Sequence, residues 1–271
     1  DSDRRRFYSS QGVDVWTRGQ ITLLPITEDA ASSLTLGTGD LTVKRFVATD
    51  GTEYIYLVSD SNVFYSSNNG TSWATFSVTN NITSITSDGT SVYIGRETTN
   101  TPLKATLGSS TTAAYGALTP DILAVVAGRM IGADANSIFE LDSSGAKVSS
   151  SLDFSFSLTS TTWVDVTAAS NGIYAAANAD NTGSLYQIGV NNTDGTLISP
   201  TIAASLPRNE SINAIISYAG LIGIATSVGF RLALIDQNSG GLTLGPAIDT
   251  GGEAYSLEAD GKFMWFGTDN A

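Results

Sequence analysis

The chain has 271 residues, with 13 lysines and arginines against 26 aspartates and glutamates, and it contains no cysteine and no histidine. Its formal charge of −13 repels nucleic-acid phosphates and anionic lipid headgroups, which argues against both kinds of partner. No stretch approaches the roughly 20 apolar residues that a spanning helix needs, so we expect no membrane insertion. The missing residue types exclude disulfides, zinc centres and Ser-His-Asp or Cys-His catalysis.

Helical periodicity is almost absent, and Ser, Thr, Gly and Asn are abundant, which predicts short strands joined by tight turns. In chain order, a turn glycine recurs between two apolar stretches at intervals of 38 to 48 residues. These glycines are Gly51, Gly89, Gly128, Gly172, Gly220 and Gly261. The spacing indicates an internal repeat of about 40 residues.

Each repeat contains at least three predicted strands. In the first repeat they are VKRFVATDG, EYIYLVSD and NVFYSS, and the third strand recurs later as PLKATL, SIFELD, SLYQIG and FRLALI. Asp-Gly, Asn-Gly and Ala-Gly between the first two strands allow the positive φ angles of a tight hairpin. An antiparallel repeat of this length is typical of a propeller blade, which must stack on its neighbours to bury both faces.

We therefore predict an all-β fold, a six-bladed β-propeller that forms a single domain over residues 1–271. The predicted blades span approximately residues 27–80, 81–118, 119–160, 161–207 and 208–250, with the sixth at 252–271 completed by 1–26. The ring closure rests on RRRFYSSQG (4–12), which resembles NVFYSSNNG (62–70), and on VDVWTRGQITLLPI, which can supply a fourth strand. The alternative is that the chain is a fragment that continues beyond Ala271, and that RRRFYSSQG belongs to an earlier repeat.

The stretch VFYSSNNGTSW contains Ser66, Asn68, Gly70 and Trp73 in the order S-x-N-x-G-x-x-W. We expect it to form the turn from the third to the fourth strand, where Asn68 bonds the backbone, Gly70 takes a positive φ and Trp73 packs on the blade. It resembles the Asp-box of sialidases and other propellers, with Asn68 where that family usually has Asp. In that family the box lies on the rim of the blade, so the resemblance implies architecture and no catalytic residue.

No catalytic constellation emerges, and we predict neither an enzyme activity nor a cofactor. A sialidase-type site needs three arginines that converge on a carboxylate, whereas the candidate arginines are scattered along the chain. They are Arg18, Arg45, Arg96, Arg129, Arg208 and Arg231. A glycan hydrolase with two carboxylates about 5–10 Å apart, one with a raised pKa, remains a second alternative function.

Two oxygen-rich stretches raise the question of calcium. Asp236 to Gly241 reads D-x-N-x-G, but the twelfth position of an EF-hand loop, which must be Glu, is occupied by Ala247. We predict Asx-type hairpin turns both here and at Val190 to Gly195, and no metal site.

The segment from Gly220 to Asn270 contains GFRLALID, LTLGPAI and FMWFG in succession. It resembles the repeats of minor tail proteins from long-tailed bacteriophages, over about a fifth of the chain. The resemblance implies a non-enzymatic structural module of the tail tip or baseplate, located in the virion, with other virion tail proteins as partners. Outside a virion, an extracellular or soluble location is expected.

The first alternative function is a carbohydrate-binding module that recognises a host cell-surface glycan. Its stacking platforms would be exposed aromatic residues such as Tyr8, Tyr65, Tyr115 and Tyr218, although alternation places some of these in the core. Aromatics that cluster with Asn and Asp at one end of the ring would favour it.

Overall fold

A computed structural model describes most of the chain after residue 40. It covers residues 41–97, 99–134, 137–148, 161–198, 200–259 and 264–268, together with Leu34, Leu36 and the backbone of three short strands at 13–14, 22–23 and 154–155. The described residues contain no helix, so the all-β prediction is confirmed for them. Contacts divide the chain into two compact units, residues 1–36 and 37–271.

In the first unit, β1 (Val13–Asp14) pairs with β2 (Thr22–Leu23) in an antiparallel hairpin. Both strands lie in VDVWTRGQITLLPI, which was expected to supply a single fourth strand and instead contains two strands paired with each other. RRRFYSSQG lies outside the residues described.

The described part of the second unit consists of five four-stranded antiparallel meanders and a final hairpin. The first sheet comprises β3 (Leu41–Val47), β4 (Glu53–Ser59), β5 (Asn62–Ser66) and β6 (Ala74–Ser77). The second comprises β7 (Ile82–Ser87), β8 (Ser91–Arg96), β9 (Leu103–Thr106) and β10 (Thr112–Ala114). The third comprises β11 (Ile122–Val126), β12 (Arg129–Asp134), β13 (Ser137–Leu141) and β14 (Phe154–Ser155).

The fourth sheet comprises β15 (Thr162–Ala169), β16 (Gly172–Ala179), β17 (Thr182–Ile188) and β18 (Thr201–Ser205). The fifth comprises β19 (Ile212–Tyr218), β20 (Leu221–Thr226), β21 (Gly229–Ile235) and β22 (Leu242–Leu244). The last hairpin pairs β23 (Ala254–Ala259) with β24 (Met264–Thr268). Each sheet, and the hairpin, lies within the range predicted for one repeat.

The turns between first and second strands follow from the predicted glycines. Ala127 and Gly128 form a two-residue turn with φ angles of 50° and 74°, and Ala219 and Gly220 form another with 49° and 79°. Two successive positive φ angles match the twist of the strands that the turn joins. Gly261 lies outside the described residues.

The cores lie between neighbouring sheets. Tyr56, Val58 and Val63 of the first sheet pack with Val92 and Ile94 of the second in one buried cluster. The fourth and fifth sheets bury a comparable cluster, which contains Tyr174, Leu185, Ile212, Ile222 and Ile224. Side chains alternate between the two faces of a strand, so a sheet in the middle of the series contributes to two cores.

The first strands of successive sheets lie side by side and are joined by side chains rather than by a backbone ladder. Ser84 Oγ accepts the N–H of Leu123 at 2.9 Å, and two residues on, Thr86 Oγ1 accepts the N–H of Val125 at 2.8 Å.

The same arrangement recurs between the fourth and fifth sheets. Asp165 Oδ2 accepts the N–H of Ile215 at 3.0 Å, and Thr167 Oγ1 accepts that of Ser217 at 3.2 Å. In both pairs a hydroxyl or carboxylate oxygen takes the place of the carbonyl that a ladder would provide.

Four first strands carry a bulge near their N-terminal end. The extra residues are Thr83, Val164, Asn213 and Tyr255, in the second, fourth and fifth sheets and in the last hairpin. A bulge bends its strand and redirects a side chain. We call this end of the sheets, where first strands begin, the bulge end. The opposite end, with the turns from first to second and third to fourth strand, is the turn end.

Candidate functional site

The S-x-N-x-G-x-x-W stretch forms the turn between β5 and β6, at the turn end. Buried Ser66 Oγ accepts the Gly70 N–H at 2.9 Å and donates to Asn68 Oδ1 at 2.8 Å. Asn68 Oδ1 also accepts the Ser72 N–H at 3.0 Å. Gly70 has a φ of 81°, and Trp73 is half-buried. These side chains are engaged in holding the turn.

Other turns between third and fourth strands use the same device. Asp142 Oδ1 accepts the Ser144 N–H at 2.8 Å, Asn191 Oδ1 accepts that of Thr193 at 2.9 Å, and Asp236 Oδ1 accepts that of Asn238 at 2.9 Å. The two stretches considered for calcium are therefore Asx-type turns, as predicted.

The carboxylates of these turns are stabilised by local donors. A hydrogen bond from Ser144 lowers the pKa of Asp142, and one from Ser239 lowers the pKa of Asp236. Among the described residues, no group of three or more acidic side chains is placed to hold a metal ion.

We predict that Gly70→Val lowers the free energy of unfolding by about 2 kcal/mol or more, because a β-branched residue at a positive φ is strained. Thr71→Val is the matched control, since position 71 is exposed and already β-branched. It should change stability by less than about 0.5 kcal/mol. Equal effects of the two variants in chemical denaturation would contradict a structural role for the Gly70 turn.

The bulge end brings together polar groups from neighbouring sheets. Asn213, the bulge residue of the fifth sheet, donates through Nδ2 to Glu253 Oε1 at 2.9 Å and to the Ala254 carbonyl at 2.8 Å. Tyr255, the bulge residue of the last hairpin, donates its hydroxyl to Glu253 Oε2 at 3.2 Å. Both oxygens of Glu253 are thus held, and the Tyr255 side chain is 48% exposed.

Further contacts at the bulge end have a structural character. Asn178 bonds both backbone groups of Ile212, its Oδ1 and Nδ2 each at 2.8 Å, and so links the fourth sheet to the fifth. Glu210, 3% exposed, forms a bidentate ion pair with Arg231 at 2.7 Å for each bond. These groups are saturated by their partners and leave little for a ligand.

The arginines do not converge within the described part of the chain. Arg45 pairs with Glu53 and Arg129 with Glu140, while Arg96 donates to the carbonyls of Thr79 and Thr101. Arg208 is exposed, and Arg18 lies outside the described residues. The described arginines therefore do not assemble the three-arginine site of a sialidase.

Asp165 is the carboxyl with the least ordinary environment. It lies on β15, half-buried, and accepts the Val166 N–H at 2.8 Å in addition to that of Ile215. Burial raises the pKa of Asp165, and the nearby positive charge of Lys44 in the first sheet partly offsets that effect. The charge that acts on Asp165 is that of a lysine, not that of a second carboxylate, which disfavours a two-carboxylate hydrolase centred here.

We predict a pH dependence with a definite sign at Asp165. Its pKa is higher in the folded than in the unfolded state, so its contribution to stability is full below about pH 4 and is lost as the pH rises through the folded-state pKa. Asp165→Asn should therefore lose more stability at pH 4 than at pH 8.

Asp142→Asn is the control for this measurement. The pKa of Asp142 is lowered, so its contribution is present above about pH 4 and is lost as the pH falls. That variant should lose more stability at pH 8 than at pH 3. The same sign for both variants in pH-dependent denaturation would contradict the assignment.

Those candidate sugar platforms that the structure describes are buried or only partly exposed, as alternation indicated for some of them. Tyr65 stacks on Tyr56 with ring centroids 5.4 Å apart and packs, partly buried, against the core of the first two sheets. Tyr115 is 4% exposed and donates to the Asp142 carbonyl, and Tyr218 is half-buried. Tyr8 lies outside the described residues. Tyr255 could not be singled out from the sequence, because it is the extra residue of a bulge that alternation of apolar residues does not reveal.

Comparisons with known proteins indicate the fold. No protein-family model matches the chain, and no curated protein matches it in sequence. Among solved structures, hydrazine synthase of Kuenenia stuttgartiensis is similar with a TM-score of 0.61 at 12% identity, over 82% of this chain and 72% of that one. The PQQ-bound aldose sugar dehydrogenase of Streptomyces coelicolor has a TM-score of 0.58 at 12% identity, over 84% and 92% of the two chains.

The extracellular domain of a hybrid two-component system from B. thetaiotaomicron is also similar, with a TM-score of 0.60 at 14% identity. The match covers 82% of this chain but only 31% of that one. None of the described residues belongs to a helix that could cross a membrane. At these identities the likenesses show the fold alone, an all-β arrangement of propeller-like antiparallel sheets.

Proposed function

We propose that this chain is a non-enzymatic structural and interaction module of a bacteriophage tail tip or baseplate, presented to the host surface. The observation that carries the proposal is the likeness of Gly220 to Asn270 to the repeats of minor tail proteins. The segments of that likeness correspond to β21, β22 and β24, which form parts of the fifth sheet and the last hairpin.

The distribution of polar groups is consistent with a module that binds other molecules by surface contact. At the turn end, Asp and Asn side chains are committed to their own turns, and Arg129 is paired with Glu140. At the bulge end, Asn213, Glu253 and Tyr255 remain accessible. A module that binds by surface contact needs rigid sheets and accessible side chains at one end. It needs no catalytic step.

Immunogold labelling of particles from the source of this chain tests the location. Antibody raised against the purified protein should place gold at the distal end of the tail, and the free protein should then compete with particles for adsorption to cells. Preimmune serum is the control. Particles that carry no label, or label confined to the head, would overturn the proposal.

We also propose that the second unit is part of a closed six-bladed ring, completed by residues 1–26. Among the residues that the structure describes, the last hairpin has two strands where the preceding sheets have four. Met264 and Phe266 pack on Gly223 and Phe230 of the fifth sheet, but Leu234, farther out on the same face, is 60% exposed. Two further strands beside β24 would cover it.

The first sheet supports closure from the other side. Leu57 and Phe64 pair on the face opposite Tyr56 and Tyr65, away from the second sheet, yet they are only 4% and 6% exposed. Hydrogen bonding to Glu53, with a smaller effect from the charge of Glu258, raises the pKa of Arg45, so the last hairpin lies within electrostatic range of the first sheet.

Deleting residues 1–26 should lower Tm by roughly 10 °C or cause aggregation, because it would remove two strands and expose a sheet edge. Deleting residues 1–3 alone is the control and should leave Tm unchanged. A 27–271 chain that remains monomeric and melts within a degree or two of the intact protein would show that closure by the N-terminal strands is wrong.

A further inference from the structure

We propose that Asn213, Glu253 and Tyr255 form a binding site for a neutral saccharide at the bulge end of the fifth sheet and the last hairpin. The inference goes beyond the tail-tip role and does not depend on it. It rests on the geometry of three side chains that two bulges and one connection bring together.

The carboxylate of Glu253 is fixed in orientation. Asn213 Nδ2 donates to Oε1 at 2.9 Å, and the Tyr255 hydroxyl donates to Oε2 at 3.2 Å. Each carboxylate oxygen can accept a further hydrogen bond, and the side-chain carbonyl of Asn213 is also an acceptor. A ligand hydroxyl therefore meets acceptors whose positions are already set, which reduces the entropy lost on binding.

Tyr255 supplies the apolar part of the site. It is the bulge residue of β23, and it remains 48% exposed although its hydroxyl is hydrogen-bonded. The bulge residue of the fourth sheet behaves differently, since Val164 packs against the core shared with the fifth sheet. A bulge residue in this fold can thus pack against the core, as Val164 does, or remain partly exposed, as Tyr255 does.

The connection that precedes Glu253 has space beside its backbone at Gly251. Gly251 has a φ of 81°, and a Cβ added there would meet nothing within 4 Å. Gly252 follows, so two residues without side chains precede Glu253.

The chemistry of the three side chains specifies the ligand class. A pyranose has C–H groups that pack on an aromatic face, and neighbouring hydroxyls that bond to planar carboxylate and amide groups. A carboxylate at the centre of the site, in a chain with a formal charge of −13, disfavours sialic acids, uronic acids and phosphorylated sugars. The expected ligand is therefore uncharged.

The test uses the intact chain and the methyl glycosides of glucose, galactose, mannose, rhamnose and N-acetylglucosamine, each up to ~20 mM. Saturation-transfer NMR and calorimetry should detect binding of at least one of them, with Kd on the order of 1–10 mM.

Tyr255→Ala should weaken binding at least about tenfold, and Glu253→Gln should weaken it less. Tyr218→Ala, at the turn end of β19, is the control and should retain the affinity. Thermal melting of each variant verifies folding.

Failure to bind any of the five glycosides, or an unchanged affinity in folded Tyr255→Ala, would overturn the inference. The result is distinguishable from a failure of the tail-tip proposal. Gold at the tail tip without sugar binding removes only the saccharide site, and sugar binding without gold removes only the location.

Discussion

The structure depends on how the first strands of neighbouring sheets are held side by side. Strands that meet at an angle cannot share a regular ladder, so backbone N–H groups along their line of contact need other acceptors. Serine, threonine and aspartate oxygens provide them, as at Ser84 for Leu123 and at Asp165 for Ile215. Because every later strand of a sheet pairs outward from the first, these contacts set the position of the whole sheet.

The same constraint explains why Asp165 tolerates an unfavourable environment. Burial raises the pKa of Asp165. Its two carboxylate oxygens accept hydrogen bonds from the N–H of Val166 on its own strand and from the N–H of Ile215 in the next sheet. Removing the acceptor would leave buried donors without partners, which generally costs about 1–3 kcal/mol for each group. A carboxylate that would suggest catalysis by its pKa alone is explained here by the packing of strands.

The two ends of the sheets have different chemistry. At the turn end, Asn68, Asp142 and Asp236 satisfy the backbone of their own turns. At the bulge end, side chains reach from one sheet to the next, as Asn213 does to Glu253. The Asp-box likeness thus marks the end where polar groups satisfy the backbone of their own turns, and the proposed saccharide site lies at the other end.

Much of this fold is predictable from the sequence, because glycine in a tight hairpin and alternation of apolar residues are local signals. Ala127-Gly128 and Ala219-Gly220 form the expected turns. The bulges are not predictable in this way, because one extra residue changes the face of the sheet on which a side chain lies and leaves the composition of the strand the same. Tyr255, the extra residue of such a bulge, could not be singled out for this reason. Tyr65 and Tyr115 lie outside the bulges, and their packing depends on tertiary contacts that the local pattern does not specify.

Amide hydrogen exchange, read residue by residue by NMR, tests the account most directly. The N–H groups of Leu123, Val125, Ile215 and Ser217 should be among the slowest to exchange, because side-chain oxygens of the neighbouring sheet hold them. In Thr86→Val, protection should fall at Val125 while the amides within the β11–β12 ladder stay protected. If these four amides exchange as fast as those of exposed turns, side-chain links do not hold the sheets together, and the account is contradicted.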